Sequence, residues 1–312
     1  MRLYFIVVFM FLVSCTHAQT YEGNIGKYPI LLELEINQEY NDVFAYYFYK
    51  SQLKNISFTG SYDDSTLILD EILSEKQEKE LFTLSINKDS LNGIWKYNGR
   101  SHQVKLSKTS KNSNDFKLKR IEFIRDSITN YHKKELVWFT EKHSKTYFFR
   151  LGNGFTKQQR DVFNPILDSI HVEHAITSLD CSWADIGVEI ELVSEEYVSY
   201  KEFSSIYCGG AHPNHTIAGL NFDLKRLKQL DSIQEIYPNL VISELVKNKY
   251  KDEEGYQNEC EHFAEENKDA WKYANWFFTK KGIMVVPSYV HAMTHCREEF
   301  LVPYDVLKKA SQ

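Results

Sequence analysis

Between Tyr21 and Leu106 the sequence is written in a period of two. In the run YPILLELEI, Ile30, Leu32, Leu34 and Ile36 fall on one face, and Leu31, Glu33 and Glu35 on the other. Side chains of an extended strand alternate between faces, so the pattern belongs to a strand with one side against a core. The runs VFAYYFY, ISFTGSY, STLILDEIL, LFTLSI, LNGIWKY and HQVKLS follow, divided by the turn-forming stretches QEYND, YDD, NKDS and YNGR. Seven or eight short strands in about 85 residues, with no long helical pattern among them, predict an antiparallel meander closing into a small barrel or sandwich over residues 20–107. The 20 Tyr, 20 Phe and 5 Trp, set against only 6 Pro and 13 Gly, suit packed β-structure and argue against disorder.

The next stretch, SKTSKNSNDFK, has no apolar periodicity and reads as a linker over 108–117. Beyond it the pattern changes. KTYFFRL is a strand, and FTKQQRDVFNPILDSI opens a helix with Thr156 as N-cap and Val162, Ile166 and Ile170 on one face. Pro165 is expected to end or kink that helix early. A second helix is expected after Pro238 and Asn239, carrying Leu240, Ile242, Leu245, Val246 and Tyr250, and a third from about Tyr256 to Asn267. ADIGVEIELV, YVSYKEFSSIY, ANWFFTK, GIMVVPSYV and EEFLVPY read as strands. The expected class is therefore α+β: an N-terminal antiparallel β meander, then over 118–312 an α+β domain with an antiparallel sheet and helices on one face.

Arg2 precedes Leu3–Val13, an unbroken apolar run of eleven residues. That is too short to span a bilayer and has the length of a secretory signal, so residues 1–14 are expected to direct export. Leu12-Val13-Ser14-Cys15 has the form of a bacterial lipobox, which would make Cys15 an acylated mature N-terminus; the competing reading is cleavage after Ala18, with Thr16-His17-Ala18 as the small-residue site. Thr16 in place of an acidic residue favours the outer membrane; the alternative is a periplasmic protein. Five cysteines are odd for an exported chain, but without Cys15 the even set Cys181, Cys208, Cys260 and Cys296 remains for disulfides. The strands flanking Ser194 and Glu195 are centred between Cys181 and Cys208, which sets these two opposite each other and leaves Cys260 for Cys296. The second strand mixes apolar residues between its faces, so a bulge is expected and the register is open by one residue. Each bridge would stabilise the domain by about 3.5 to 4 kcal/mol on the chain-entropy model.

Residues with chemical potential are few and scattered. His212, His215, His262, His291 and His295 lie in the C-terminal half, and His212-x-x-His215 has a spacing that a turn can bend around zinc, but no third ligand or His-Glu-x-x-His frame accompanies it. No metal or other cofactor is expected, and Gly209, Gly210, His212 and His215 are read instead as a candidate binding loop. Cys260 and Cys296 each have a nearby histidine, as a nucleophile would, but pairing explains them better in an exported chain. The acid pairs, Glu195-Glu196 and Glu298-Glu299 among them, read as solvated faces. Trp271, Tyr273, Trp276, Phe277 and Phe278 form the densest aromatic cluster, from which Trp271 and Trp276 are the candidate ligand anchors. Phosphate loops, nucleophile elbows and basic aromatic patches are missing, and a net charge of -6 built from interspersed residues argues against nucleic acid.

Residues 207–237, YCGGAHPNHTIAGLNFDLKRLKQLDSIQEIY, and 277–310, FFTKKGIMVVPSYVHAMTHCREEFLVPYDVLKKA, resemble the extracellular domain of the RsiV anti-sigma factor family. The same domain precedes the catalytic part of some peptidoglycan deacetylases. The elements that match are Gly209-Gly210-Ala211-His212-Pro213, Asn221-Phe222-Asp223-Leu224, Gly282-Ile283 and Val302-Pro303-Tyr304, in the expected order over some 190 residues. YEGNIGKYPILLELEI likewise resembles a small β-domain at the front of exported bacterial proteins. The resemblance implies the fold, an exported location and a cell-wall neighbourhood. It also implies a lysozyme-like protein as a partner, with a peptidoglycan fragment as the other, whereas sigma signalling is not implied because no second apolar run reaches membrane-spanning length. The expectation is a non-enzymatic envelope lipoprotein that touches membrane only through its lipid. The alternatives are a metal-assisted hydrolase using His212 and His215, and a structural envelope protein without a ligand.

Overall fold

The computed structural model describes residues 18–37, 39–63, 65–72, 79–246, 260, 267–289, 293 and 296–310. The chain divides between Arg120 and Ile121 into two compact units.

The first unit is a closed antiparallel barrel of eight strands in sequence order: β1 (Gln19–Ile25), β2 (Tyr28–Asn37), β3 (Asp42–Tyr49), β4 (Ile56–Asp63), β5 (Thr66–Glu71), β6 (Leu81–Asn87), β7 (Ser90–Tyr97) and β8 (Arg100–Thr109). The period-two residues point inward, so that Ile30, Leu32, Leu34, Tyr47, Phe58, Leu69, Phe82, Leu91 and Val104 fill the interior. Two carboxylates enter this core: Glu71 accepts from the Glu80 backbone N–H at 3.0 Å, and Glu80 accepts hydrogen bonds from the Tyr47 hydroxyl at 2.6 Å and the Trp95 indole at 2.8 Å. Residues 108–117 are not the open linker expected from sequence. β8 runs to Thr109, and a helix, α1 (Ser113–Leu118), is capped by Asn112. Lys117 is buried with its ammonium 2.7 Å from Asn55 Oδ1 and 4.7 Å from the centroid of Phe48, so this polar segment packs through a cation-π contact and leaves no apolar stripe to read.

The second unit opens with a three-stranded sheet of β9 (Phe123–Tyr131), β10 (Lys134–Glu141) and β11 (Tyr147–Leu151), in the order β11-β10-β9. The helix α2 (Lys157–Asp180) follows, started by a capping box between Thr156 and Gln159. Pro165 neither ends nor shortens it. Pro165 and Asp161 both face solvent, so the carbonyl that loses its helical partner belongs to a residue on the exposed side of the helix. The buried stripe is Phe163, Leu167, His171 and His174, one residue on from the expected Val162, Ile166 and Ile170, which flank it half-buried.

A four-stranded antiparallel sheet holds β12 (Trp183–Val193), β13 (Tyr197–Tyr207), β14 (Asn214–Asp223) and β15 (Lys228–Leu230) in order. A third sheet holds β16 (Asn275–Phe278), β17 (Gly282–Val286) and β18 (Phe300–Pro303). The helices α3 (Ile242–Val246), α4 (Lys268–Lys272) and α5 (Tyr304–Ala310) accompany it. The molecule is thus α+β, with the expected single C-terminal sheet resolved into three. α2 lies on one face of the four-stranded sheet, where His174 Nε2 meets Glu202 at 2.9 Å, and β16 crosses the other face. Cys181 is bonded to Cys208 and Cys260 to Cys296, with Cα separations of 4.0 and 5.4 Å. The bulge in the β12–β13 hairpin sits on the first strand, at Glu191, between the pairs Ile190–Tyr200 and Leu192–Ser199. Most of the third helix expected near 256–267 lies outside the described residues, as do Cys15, His262, His291 and His295.

Candidate binding site

Residues matched by the family resemblance turn out to be mostly framework. Asn221 is buried between strands, accepting from Ser199 Oγ at 2.6 Å and donating to the Trp276 carbonyl at 2.9 Å, so it ties the four-stranded sheet to β16. Asp223 shapes the β14–β15 turn by accepting from the backbone N–H of Lys225 and Arg226 and from the Arg226 guanidinium at 2.7 Å. Burial raises the Asp223 pKa and these donors lower it, leaving its carboxyl below the usual carboxylate range. Phe222, Leu224, Ile283 and Val302 are core.

The exception is the stretch 209–213, an exposed turn between β13 and β14. Gly209 and Gly210 have φ of +107° and +100°, a region closed to most side chains, and the Gly210 carbonyl accepts from the Tyr207 hydroxyl at 2.7 Å. His212 Nδ1 donates to the Pro213 carbonyl at 3.1 Å. His215 is not in the turn but on β14, with Nδ1 hydrogen-bonded to Ser205 Oγ at 2.6 Å. The two histidines therefore serve different partners, and among the described residues no group of three or more metal-ligating side chains converges.

What His215 belongs to is a sheet face. The pairs Trp183–Tyr207, Asp185–Ser205, Gly187–Phe203 and Glu189–Lys201 put the odd-numbered residues of β12 and β13 on one side, and Ser205–His215 and Phe203–Ile217 extend the row onto β14. Near the hairpin turn this side is covered by β16, where Tyr197 stacks on Phe278. Toward the Gly209–Gly210 turn it is open: Trp183 is 47% exposed and Phe203 37%, with Tyr207 and Ile217 half-buried beside them. The Phe203 ring lies flat over Gly187, where an added β-carbon would come within 2.0 Å of Cζ. From Phe203 to Tyr207 the row spans roughly 13 Å at ~3.3 Å per residue. Its charged residues are the acids Asp185 and Glu189 and the base Lys201. Lys201 is held by Glu189 at 2.8 Å and Glu299 at 3.1 Å, and Asp185 is exposed. Arg297 closes the edge of the row by donating to the His215 carbonyl at 2.8 Å.

The expected anchors Trp271 and Trp276 are not on any such surface. They are 5% and 4% exposed, packed in the core with Phe278, Tyr289 and Phe300, because the small third sheet needs large side chains to fill its interior. The exposed member of that sequence cluster is Tyr273. Sequence reasoning missed Trp183, Phe203 and Tyr207 as a set; the signal was present as odd-numbered aromatics on two paired strands, but it becomes visible only once the register is known.

No family model matches the chain, and no curated protein matches it. Among solved structures, two DUF3298 family proteins align with it. One, from Pseudomonas aeruginosa PAO1, has 11% identity and a TM-score of 0.32. The other, from Bacteroides fragilis NCTC 9343, has 16% identity and a TM-score of 0.36. Each alignment covers 60% of this chain and 92% of the other. Alignments at this level carry no functional assignment.

Proposed function

We propose that the protein is an exported envelope lipoprotein, anchored through Cys15, whose second unit is a non-enzymatic binding module for a protein partner or a cell-wall glycan. The observation that carries the binding role is the open row Trp183, Phe203, Tyr207 and His215 on one sheet face, beside the Gly209–Gly210 turn. Rigid aromatics on a flat sheet make anchors at small entropic cost, which is the composition of binding hot spots. The three acids Asp185, Glu189 and Glu299 on and beside this face outnumber the two bases Lys201 and Arg297, which favours a basic protein over an acidic one, in keeping with a lysozyme-like partner. Two disulfides fit an oxidising compartment. The metal-assisted reading at His212 and His215 lacks a third ligand among the described residues.

Titrating lysozyme into the mature chain by calorimetry at low salt and at about 0.15 M tests the partner. Binding that persists at the higher salt is expected. Binding that vanishes there is rim attraction alone, and absence of binding at low salt removes lysozyme and leaves a pull-down from envelope extract to find the partner.

A further inference from the structure

A cleft of about 510 Å³ opens between the end of α4, the start of β16 and the turn Ile233–Glu235, within the ~300–1,000 Å³ range of small-ligand sites. Its floor includes the Trp276 side and the backbone of Gly219, and its polar lining includes Asp231, Lys272, Tyr273 and Asn275. We infer that this cleft binds a short, uncharged oligosaccharide.

Three features select that class. First, Tyr273 is 66% exposed yet fixed at the C-terminus of α4, where its backbone N–H donates to the Asp269 carbonyl at 3.0 Å. An aromatic ring presented to water beside a cleft offers a flat apolar surface to the C–H face of a pyranose. Second, the side chains of Asp231 and Asn275 have no hydrogen-bond partner among the described residues, although the Asp231 backbone N–H is used by Glu235 at 2.9 Å. A carboxylate that only accepts and an amide that both donates and accepts, lining the same cleft, suit sugar hydroxyls, each able to do both. Third, the charged side chains of the lining are one of each sign, Asp231 and Lys272, and the Lys272 ammonium lies 5.0 Å from the Tyr273 centroid. A cleft with one charge of each sign gives no net attraction to an acidic glycan or a polyanion.

The site is separate from the aromatic row of the β12–β14 face, and it rests on the envelope reading only for the source of its sugar. The test uses the mature chain and chitotriose, a neutral trisaccharide, in an NMR or calorimetric titration. A trimer of uronic acid and an alanine dipeptide serve as acidic and zwitterionic counter-probes. Saturable binding of chitotriose is expected, weaker by about tenfold or more in Tyr273→Ala and Asp231→Ala and retained in Tyr273→Phe, which keeps the ring. The double variant Trp183→Ala/Phe203→Ala is expected to bind chitotriose as the wild type does, so loss of a protein partner and loss of the sugar are read separately. The inference is overturned if chitotriose does not saturate, if the Tyr273→Ala and Asp231→Ala variants bind it with unchanged affinity, if the double variant abolishes it, or if either counter-probe binds more tightly.

Discussion

At the scale of single residues, two buried polar groups show how the core of the second unit is specified. The Thr146 carbonyl can only accept, so the 3.1 Å contact fixes the proton of His171 on Nε2 and leaves Nδ1 to accept from Arg150 at 3.4 Å. Burial, followed by the neighbouring Arg150 charge, pushes the His171 pKa down to about 4 from its ordinary 6.5. The folded state then holds this ring neutral at pH values where the unfolded chain protonates it. Its contribution is full above about pH 6.5 and drains away as pH falls toward 4. From this residue alone, stability should drop by about 2 kcal/mol between pH 7 and pH 5. Denaturant unfolding at both pH values, in wild type and His171→Gln, checks it; equal pH dependence in the two proteins would refute the assignment. Tyr200 gives the opposite kind of test. Its hydroxyl is buried among Phe148, Phe149 and Phe222 and has no hydrogen-bond partner among the described residues. Removing an unsatisfied buried group costs nothing in hydrogen bonding, so Tyr200→Phe should be neutral or stabilising by up to about 1 kcal/mol. A clear loss of stability would mean that the hydroxyl has a role in the core.

Among the elements, β16 depends on what lies beneath it. A β-carbon at Gly219 would sit 2.0 Å from the Trp276 carbonyl, a backbone atom that cannot swing aside. Gly219→Ala should therefore lift β16 from the sheet and cost at least about 2 kcal/mol in unfolding measurements; a neutral result would contradict this seating of the strand. The same element shows where sequence reading stops. The barrel was legible because each strand carries its own alternation, as YPILLELEI does, and turn residues mark the ends. In α2 the apolar spacing found the helix but misplaced its buried stripe by one residue, because His171 and His174 hold core positions through hydrogen bonds that hydropathy does not register. The aromatic cluster 271–278 was legible as a cluster. Which members face outward depends on the packing of β16 against β14, so Tyr273 and the two tryptophans exchanged roles. The loop at Gly209–Gly210 was read from its glycines, whereas the aromatic row beside it required the pairing of three strands.

Across the whole molecule, each unit solves its stability problem differently. The barrel has no free sheet edge and a continuous apolar interior, while the second unit divides its core among small sheets and staples them with disulfides at sequence separations of 27 and 36. The Cys181–Cys208 bridge ties the end of α2 to the end of β13, next to the open aromatic row, so that end of the sheet is held rigid where contact is proposed. A preorganised face of this kind binds without first losing loop entropy. Since Trp183 and Phe203 are exposed, truncating them should leave folding intact and remove binding. The most direct measurement is therefore the affinity of the mature chain for lysozyme at physiological ionic strength, wild type against Trp183→Ala/Phe203→Ala, with unfolding curves as control. The proposal predicts at least about a 30-fold loss for the double variant with unchanged stability; equal affinity in the two proteins would contradict the assignment of this sheet face as the binding surface.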